Sequence, residues 1–280
     1  MAENPKTIQI FLPDGSPRSI KIADITQHIP RVVLFPRSRI KEAGLRPETK
    51  NAGIYFLFGT SDEKAKPIVY IGESEDCYER IKQHNRSKDF WDTGIIITSK
   101  TNSFTRTHVG YLEWHCLKKA REIGRYTIEN TELPKKPSIS EPMEADLRDS
   151  FESIKVLLST LNYPIFEEIR KEITTDLLYC KGKRADAEGA YTDDGFIVFK
   201  GSKANVTETP TAGDWVINLR NKLKGDSILE LKQDHYVFVS DYIFTSPSAA
   251  AAAVLARRAN GWTEWKTKEG VTLDKLKRKS

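Results

Sequence analysis

The stretch PIVYIGESEDCYERIKQH (67–84) carries a phenol, Tyr70, at the end of an apolar run and follows it with Arg80 and His84. Four residues apart, Arg80 and His84 would project from one face of a helix. A second tyrosine, Tyr55, stands in GIY (53–55), a context that matches YIG at 70–72. Further along, Glu113 sits in GYLEWHCL between Leu112 and Trp114. Taken singly, a strand tyrosine is a core-edge residue with a wet hydroxyl, and an Arg/His pair is a solvated face. Glu113 reads either as half of a buried ion pair or as a metal ligand. Together they suit hydrolysis of a phosphodiester. That reaction needs an activated water, positive charge on the phosphoryl oxygens and help for the departing oxyanion. Arg80 offers a permanent, forked charge. One carboxylate can hold Mg²⁺ while leaving positions open for substrate oxygens. A phenol with a pKa of about 10 is only ~0.1% ionised at neutral pH, so it needs cations nearby to act as a base.

Several elements must position these groups. GIYFLFG and PIVYIG read as adjacent antiparallel strands, and a helix from Ser74 to about Asn85 follows, with acids in its first turn. WDTGIIITSK (91–100) reads as a third strand. Thr105–Ile123 forms a helix whose Val109, Leu112, Cys116 and Ala120 recur on one face. Ahead of these, IQIFLPDGSPRSIKIADI alternates around a Pro-Asp-Gly turn as a hairpin would. Downstream, ELPKKPSISEP (132–142) is a linker rich in Pro and Ser. Met143, Leu147, Phe151, Ile154, Leu158 and Leu161 then stripe a long helix. Short strands with glycine turns begin near Asp176. A helix around Ala212–Leu223 follows, then a strand pair, then the helix SPSAAAAAVLARRANG, opened by Ser246-Pro247 and stopped at Asn260-Gly261. The expected fold class is α+β in two folding units. Its segments are a β-rich extension (1–50), a first domain (51–133), a linker with an amphipathic helix (134–172) and a second domain (173–280), the boundary falling near 162–174.

GIY at 53–55, YIG at 70–72, an Arg eight residues past that Gly, a His four later and a Glu on the following helix resemble the GIY-YIG nucleases. The resemblance covers residues 52–133, with five separated positions matching in order. It implies a small central antiparallel sheet flanked by helices, and metal-dependent (Mg²⁺ or Mn²⁺) cleavage of DNA. It also carries Tyr55, Tyr70, Arg80, His84 and Glu113 over as catalytic positions, with Glu113 on the metal. The family's asparagine beyond the glutamate matches Asn130 in IENTELP. Tyr55 is then the base or a water-positioner, His84 accepts or relays the proton, and Tyr70 orients water or phosphate. A catalytically silent DNA-binding protein on the same scaffold is the alternative.

The 280 residues carry a net charge of +5. Residues 255–280 hold eight Lys/Arg against three Asp/Glu, so the rest of the chain is balanced. Arg257, Arg258, Lys266 and Lys268 surround Trp262 and Trp265, combining charge with flat aromatic area as nucleic-acid surfaces do. The competing reading puts both tryptophans in the core and the lysines in solvent. This region resembles a domain of unknown function often fused to these nucleases, and more loosely the domain associated with restriction enzymes and adenine methylases, which implies DNA contact. Cys77, Cys116 and Cys180 are widely spaced and lack CxxC pairing, which argues against a disulfide framework, a disulfide-linked partner or a zinc site. The opening residues do not read as a signal peptide, and no apolar run approaches the ~20 residues of a membrane span. The expected compartment is therefore the cytoplasm. Monomer and homodimer both remain open.

Overall fold

The computed structural model describes residues 5–60, 66–168, 177–192, 195–210 and 212–278. It is mixed α+β and divides into two compact units, the first ending at Glu168. Among the described residues no helix is long and apolar enough to cross a membrane. All three cysteines are buried free thiols.

The first unit contains β1 (Ile8–Phe11), β2 (Lys21–Ile25), β3 (Pro30–Pro36), α1 (Ile40–Ala43), β4 (Gly53–Gly59), β5 (Ile68–Ser74), α2 (Cys77–Ser87), β6 (Trp91–Ser99), α3 (Arg106–Ile123), β7 (Thr127–Ile128) and α4 (Glu141–Thr160). Its strands form one sheet in the order β1-β2-β3-β6-β4-β5-β7, antiparallel throughout except where β7 runs parallel to β5. Residues 1–50 therefore do not stand apart as an extension: β3 pairs with β6 along seven positions and widens the sheet that carries β4 and β5. The helix expected after the linker likewise belongs to this unit, since Leu147, Phe151, Ile154, Leu157 and Leu158 share a core with Phe56 and Ile71.

Strand alternation sorts the sheet into two faces. Ile54, Phe56, Phe58 and Ile71 pack with Val109, Leu112, Cys116 and Ala120 of α3 and with α4. Tyr55, Leu57, Val33, Phe35 and Ile96 face the other way, against Cys77 and Ile81 of α2. Both faces being covered explains why GIYFLFG is an unbroken apolar run, with every residue of β4 buried. Helix α2 begins at Cys77, where the Asp76 carboxylate accepts the Glu79 N–H at 3.0 Å, three residues beyond the start at Ser74 that the sequence implied. Its far end is clamped by Arg37. That guanidinium donates from Nε to Asn85 Oδ1 at 2.8 Å, to the Asn85 carbonyl at 3.0 Å and to the Trp91 carbonyl at 3.2 Å, while lying over the Trp91 ring.

The second unit comprises β8 (Leu178–Lys181), β9 (Asp186–Thr192), β10 (Gly195–Val198), β11 (Lys203–Ala204), α5 (Asp214–Gly225), β12 (Leu229–Lys232), β13 (His235–Phe238), β14 (Tyr242–Phe244), α6 (Pro247–Leu255), α7 (Gly261–Glu264) and α8 (Leu273–Lys277). The sheet runs β12-β13-β11-β9-β10-β14, with β8 paired to β9. Ala250, Ala251 and Ala253 of α6 are fully buried in the core that contains Phe196, Val198 and Ala204, so small side chains let the helix lie close on the sheet. Ser246 caps α6 as expected, accepting the Ala249 N–H. The stop differs. Helix α6 ends at Ala256, which takes the left-handed conformation (φ 57°), and Asn260 instead caps α7. Arg220, fully buried, holds this unit together. It pairs with Glu208 at 2.9 Å and donates to the carbonyls of Asn205, Val206 and Ala253. Arg220→Ala orphans those acceptors and should destabilise this unit by about 3–5 kcal/mol, read by urea unfolding.

Candidate active site and the basic surface of the second unit

The two tyrosines are set by register. Tyr55 on β4 lies directly opposite Gly72 on β5, and Leu57 lies opposite Tyr70, so Tyr55, Tyr70 and Gly72 share the α2 face. A Cβ at Gly72 would sit 2.4 Å from the Tyr55 oxygen, so the glycine of YIG is the hole into which the tyrosine of GIY fits. Gly53 has a parallel reason: a Cβ there would stand 2.4 Å from the Ile97 carbonyl of β6.

From α2, His84 closes the group. Its Nε2 is 2.9 Å from the Tyr55 hydroxyl, and its ring centroid is 4.8 Å from that of Tyr70. The two phenol rings stack with centroids 6.2 Å apart. Tyr55 is 1% exposed and His84 7%, whereas Tyr70 is half-buried and Arg80 exposed. Burial, aided by the Arg80 and Lys88 cations, pulls His84 down to about 4. The imidazole is thus neutral at physiological pH and can accept the phenol's hydrogen bond. Burial likewise pushes the Tyr55 phenol well up, with Tyr70 adding to it and Arg80 opposing. Sequence reasoning expected Arg80 to make the phenolate easier to reach; in the protein alone desolvation outweighs that cation.

Glu113 approaches from the opposite face, on α3. Its carboxyl is pushed up to about 7 by burial and by the neighbouring Glu73, while the Glu73 N–H and Arg80 oppose the shift. Glu73, paired with Ile54 one position beyond Gly72, points to the α3 side. Phenols and acids therefore lie on opposite faces of the same strand end. Arg80 is within electrostatic reach of both groups.

Asn130 holds the strand that carries Tyr70. Its Nδ2 donates to the Ile71 carbonyl at 2.7 Å and its Oδ1 accepts the Ile71 N–H at 3.0 Å. The amide thereby fixes the main chain between Tyr70 and Gly72. Two residues escaped the sequence reading. Glu73 directly follows YIG, and Lys88 lies four residues past His84, with Nζ 4.6 Å from the Tyr70 ring centroid. The i, i+4 ladder Arg80–His84–Lys88 was the available signal for the second.

In the second unit Trp265 is removed from the nucleic-acid candidates. It is 0% exposed, packs with its ring tilted against Phe196 at a centroid distance of 4.3 Å and donates Nε1–H to the Pro247 carbonyl at 3.1 Å. Trp262 is half-buried beneath the Arg278 guanidinium, 3.6 Å from its ring centroid. Arg257 pairs with Glu264 at 2.7 Å. Arg258, Lys266 and Lys268 are exposed. Residues 178–277 match the family model of a domain of unknown function, DUF4357. No curated protein and no solved structure matches the chain.

Two outcomes follow from this geometry. Gly72→Ala forces Tyr55 from its seat and should cost about 1–3 kcal/mol in urea unfolding. In the absence of divalent metal, stability should also carry opposed pH signatures. Glu113 titrates near 7 folded against 4.5 as a free side chain, so its contribution is complete below 4.5 and lost as pH rises through 7. His84, at about 4 against 6.5, contributes above 6.5, and that contribution is lost as pH falls through 4. Glu113→Gln should flatten the alkaline decline only, and His84→Gln the acidic one.

Proposed function

We propose that the protein is a metal-dependent DNA endonuclease of the GIY-YIG type, hydrolysing phosphodiester bonds around the end of β5. The observation that carries this reading is the Tyr55–His84 hydrogen bond beside Arg80, with Glu113 at the same strand end. Tyr55 passes its proton to neutral His84 as it accepts one from the attacking water, so the phenol stays uncharged and the positive charge that forms rests on the imidazole, beside the incoming phosphate anion. The water oxygen bonds to phosphorus as the P–O bond to the leaving oxygen breaks. Arg80 grips the phosphoryl oxygens, and Tyr70, the more exposed phenol, orients water or phosphate.

Mg²⁺ or Mn²⁺ fits the acidic side of the site. Glu113 is a hard oxygen donor held beside a second carboxylate, and the pair lacks a compensating charge strong enough to keep Glu113 in its ordinary range. Glu113 would hold the ion, which when bound supplies charge stabilisation at the phosphoryl oxygens. Among the described residues no three His, Cys, Asp or Glu side chains cluster as a metal cage. The second unit would hold DNA through Arg258, Lys266 and Lys268.

Purified protein incubated with plasmid should nick it in Mg²⁺ and fail to do so with chelator. Glu113→Gln should lower nicking by roughly 10²–10³-fold while leaving DNA affinity near wild type, since affinity rests on cations and phosphates. Arg80→Lys should rescue little of what Arg80→Ala loses, because an ammonium has no fork. Arg258→Glu should weaken DNA binding and flatten its salt dependence. No nicking together with salt-sensitive binding would leave the silent DNA-binding scaffold instead.

A further inference from the structure

Helix α2 presents one more charged group to the site than the nuclease reading uses. Arg80 and His84 lie at i and i+4 on α2, and Lys88, the extended residue that caps the helix end, still donates its backbone N–H to the His84 carbonyl at 2.8 Å. Lys88 is half-buried, its ammonium over the Tyr70 ring, and among the described residues no carboxylate pairs with it. A cation held against an aromatic face without an acidic partner keeps most of its charge for a ligand. Eight residues at 1.5 Å of rise set Arg80 and Lys88 roughly 12 Å apart along the helix. Consecutive phosphates of a strand are about 3.4 Å apart along the duplex axis, so the two cations can meet different phosphates of one strand.

Resting on that reading, we propose that Lys88 is a positioning residue that grips a phosphate flanking the scissile one and so fixes the register of the strand over Tyr70. It has no part in the chemical step. A phosphate there would bridge the lysine and the half-exposed Tyr70 hydroxyl. Arg80 and Lys88 would then act as a two-point clamp on the backbone, the first at the reacting centre and the second beside it.

The test uses full-length Glu113→Gln protein in chelator, where turnover is suppressed, and duplex DNA binding by fluorescence anisotropy across a salt series. Adding Lys88→Gln should weaken binding about 5- to 10-fold and reduce the magnitude of the salt slope by about 0.9, one phosphate's share, while Lys88→Arg keeps both. In otherwise wild-type protein Lys88→Gln should raise KM by a similar factor and leave kcat within about 2-fold. Unchanged affinity and slope in Lys88→Gln, with the parent binding normally, would overturn the proposal while leaving the nuclease reading intact. A fall in kcat with KM unchanged would also overturn it, by placing Lys88 in the chemistry. A parent protein that binds no DNA would remove both.

Discussion

The hydrogen bond between the Tyr55 hydroxyl and His84 Nε2 is the constraint on which the site depends. It joins β4 to α2 over the top of β5, and each partner is held from a different direction. The phenol can reach the imidazole only because Gly72 offers no Cβ. The imidazole is where it is because Asp76 caps one end of α2 and Arg37 holds the other. Arg37 directly follows β3, so the N-terminal strands brace the helix that carries Arg80 and His84. Buried in this way, the O–H···N bond gains strength from its low-dielectric surroundings and loses little to competing water.

Charge is distributed unevenly around that bond. An uncharged imidazole lies between Arg80 and Lys88, with a buried phenol at its side, while Glu113 and Glu73 face the other surface of the strand. An anion entering on the cationic side and a cation on the acidic side would each relieve an electrostatic cost already present in the empty fold. Such a pre-set field needs little reorganisation when a charged ligand binds.

Much of this was legible from sequence because it depends on short-range periodicity. The pairing of β4 with β5, the buried stripe Val109–Leu112–Cys116–Ala120 and the Ser246 cap all follow from local pattern. What escaped depends on tertiary context. Trp265 and Trp262 are three residues apart in equally basic surroundings, yet the chain seals one against Phe196 and leaves the other half-open beneath Arg278. Nothing local predicts a left-handed alanine at 256. Glu73 acquires significance only once α3 brings Glu113 over it, and Arg37 only once β3 is laid beside β6.

Asn130 has a consequence beyond the site. Strand β7 covers β5 for two residues, Thr127 and Ile128, and Glu129 adds one more main-chain bond to Val69. At Ile71 the covering backbone is replaced by the Asn130 carboxamide, which presents a carbonyl and an N–H in the arrangement a neighbouring peptide would use. An uncovered strand edge is a template on which another extended chain can add. By counterfeiting a peptide group at that position, Asn130 denies the edge to a foreign strand without placing a full strand there. The margin beside Tyr70 thus stays slim while its backbone groups at Ile71 are already satisfied.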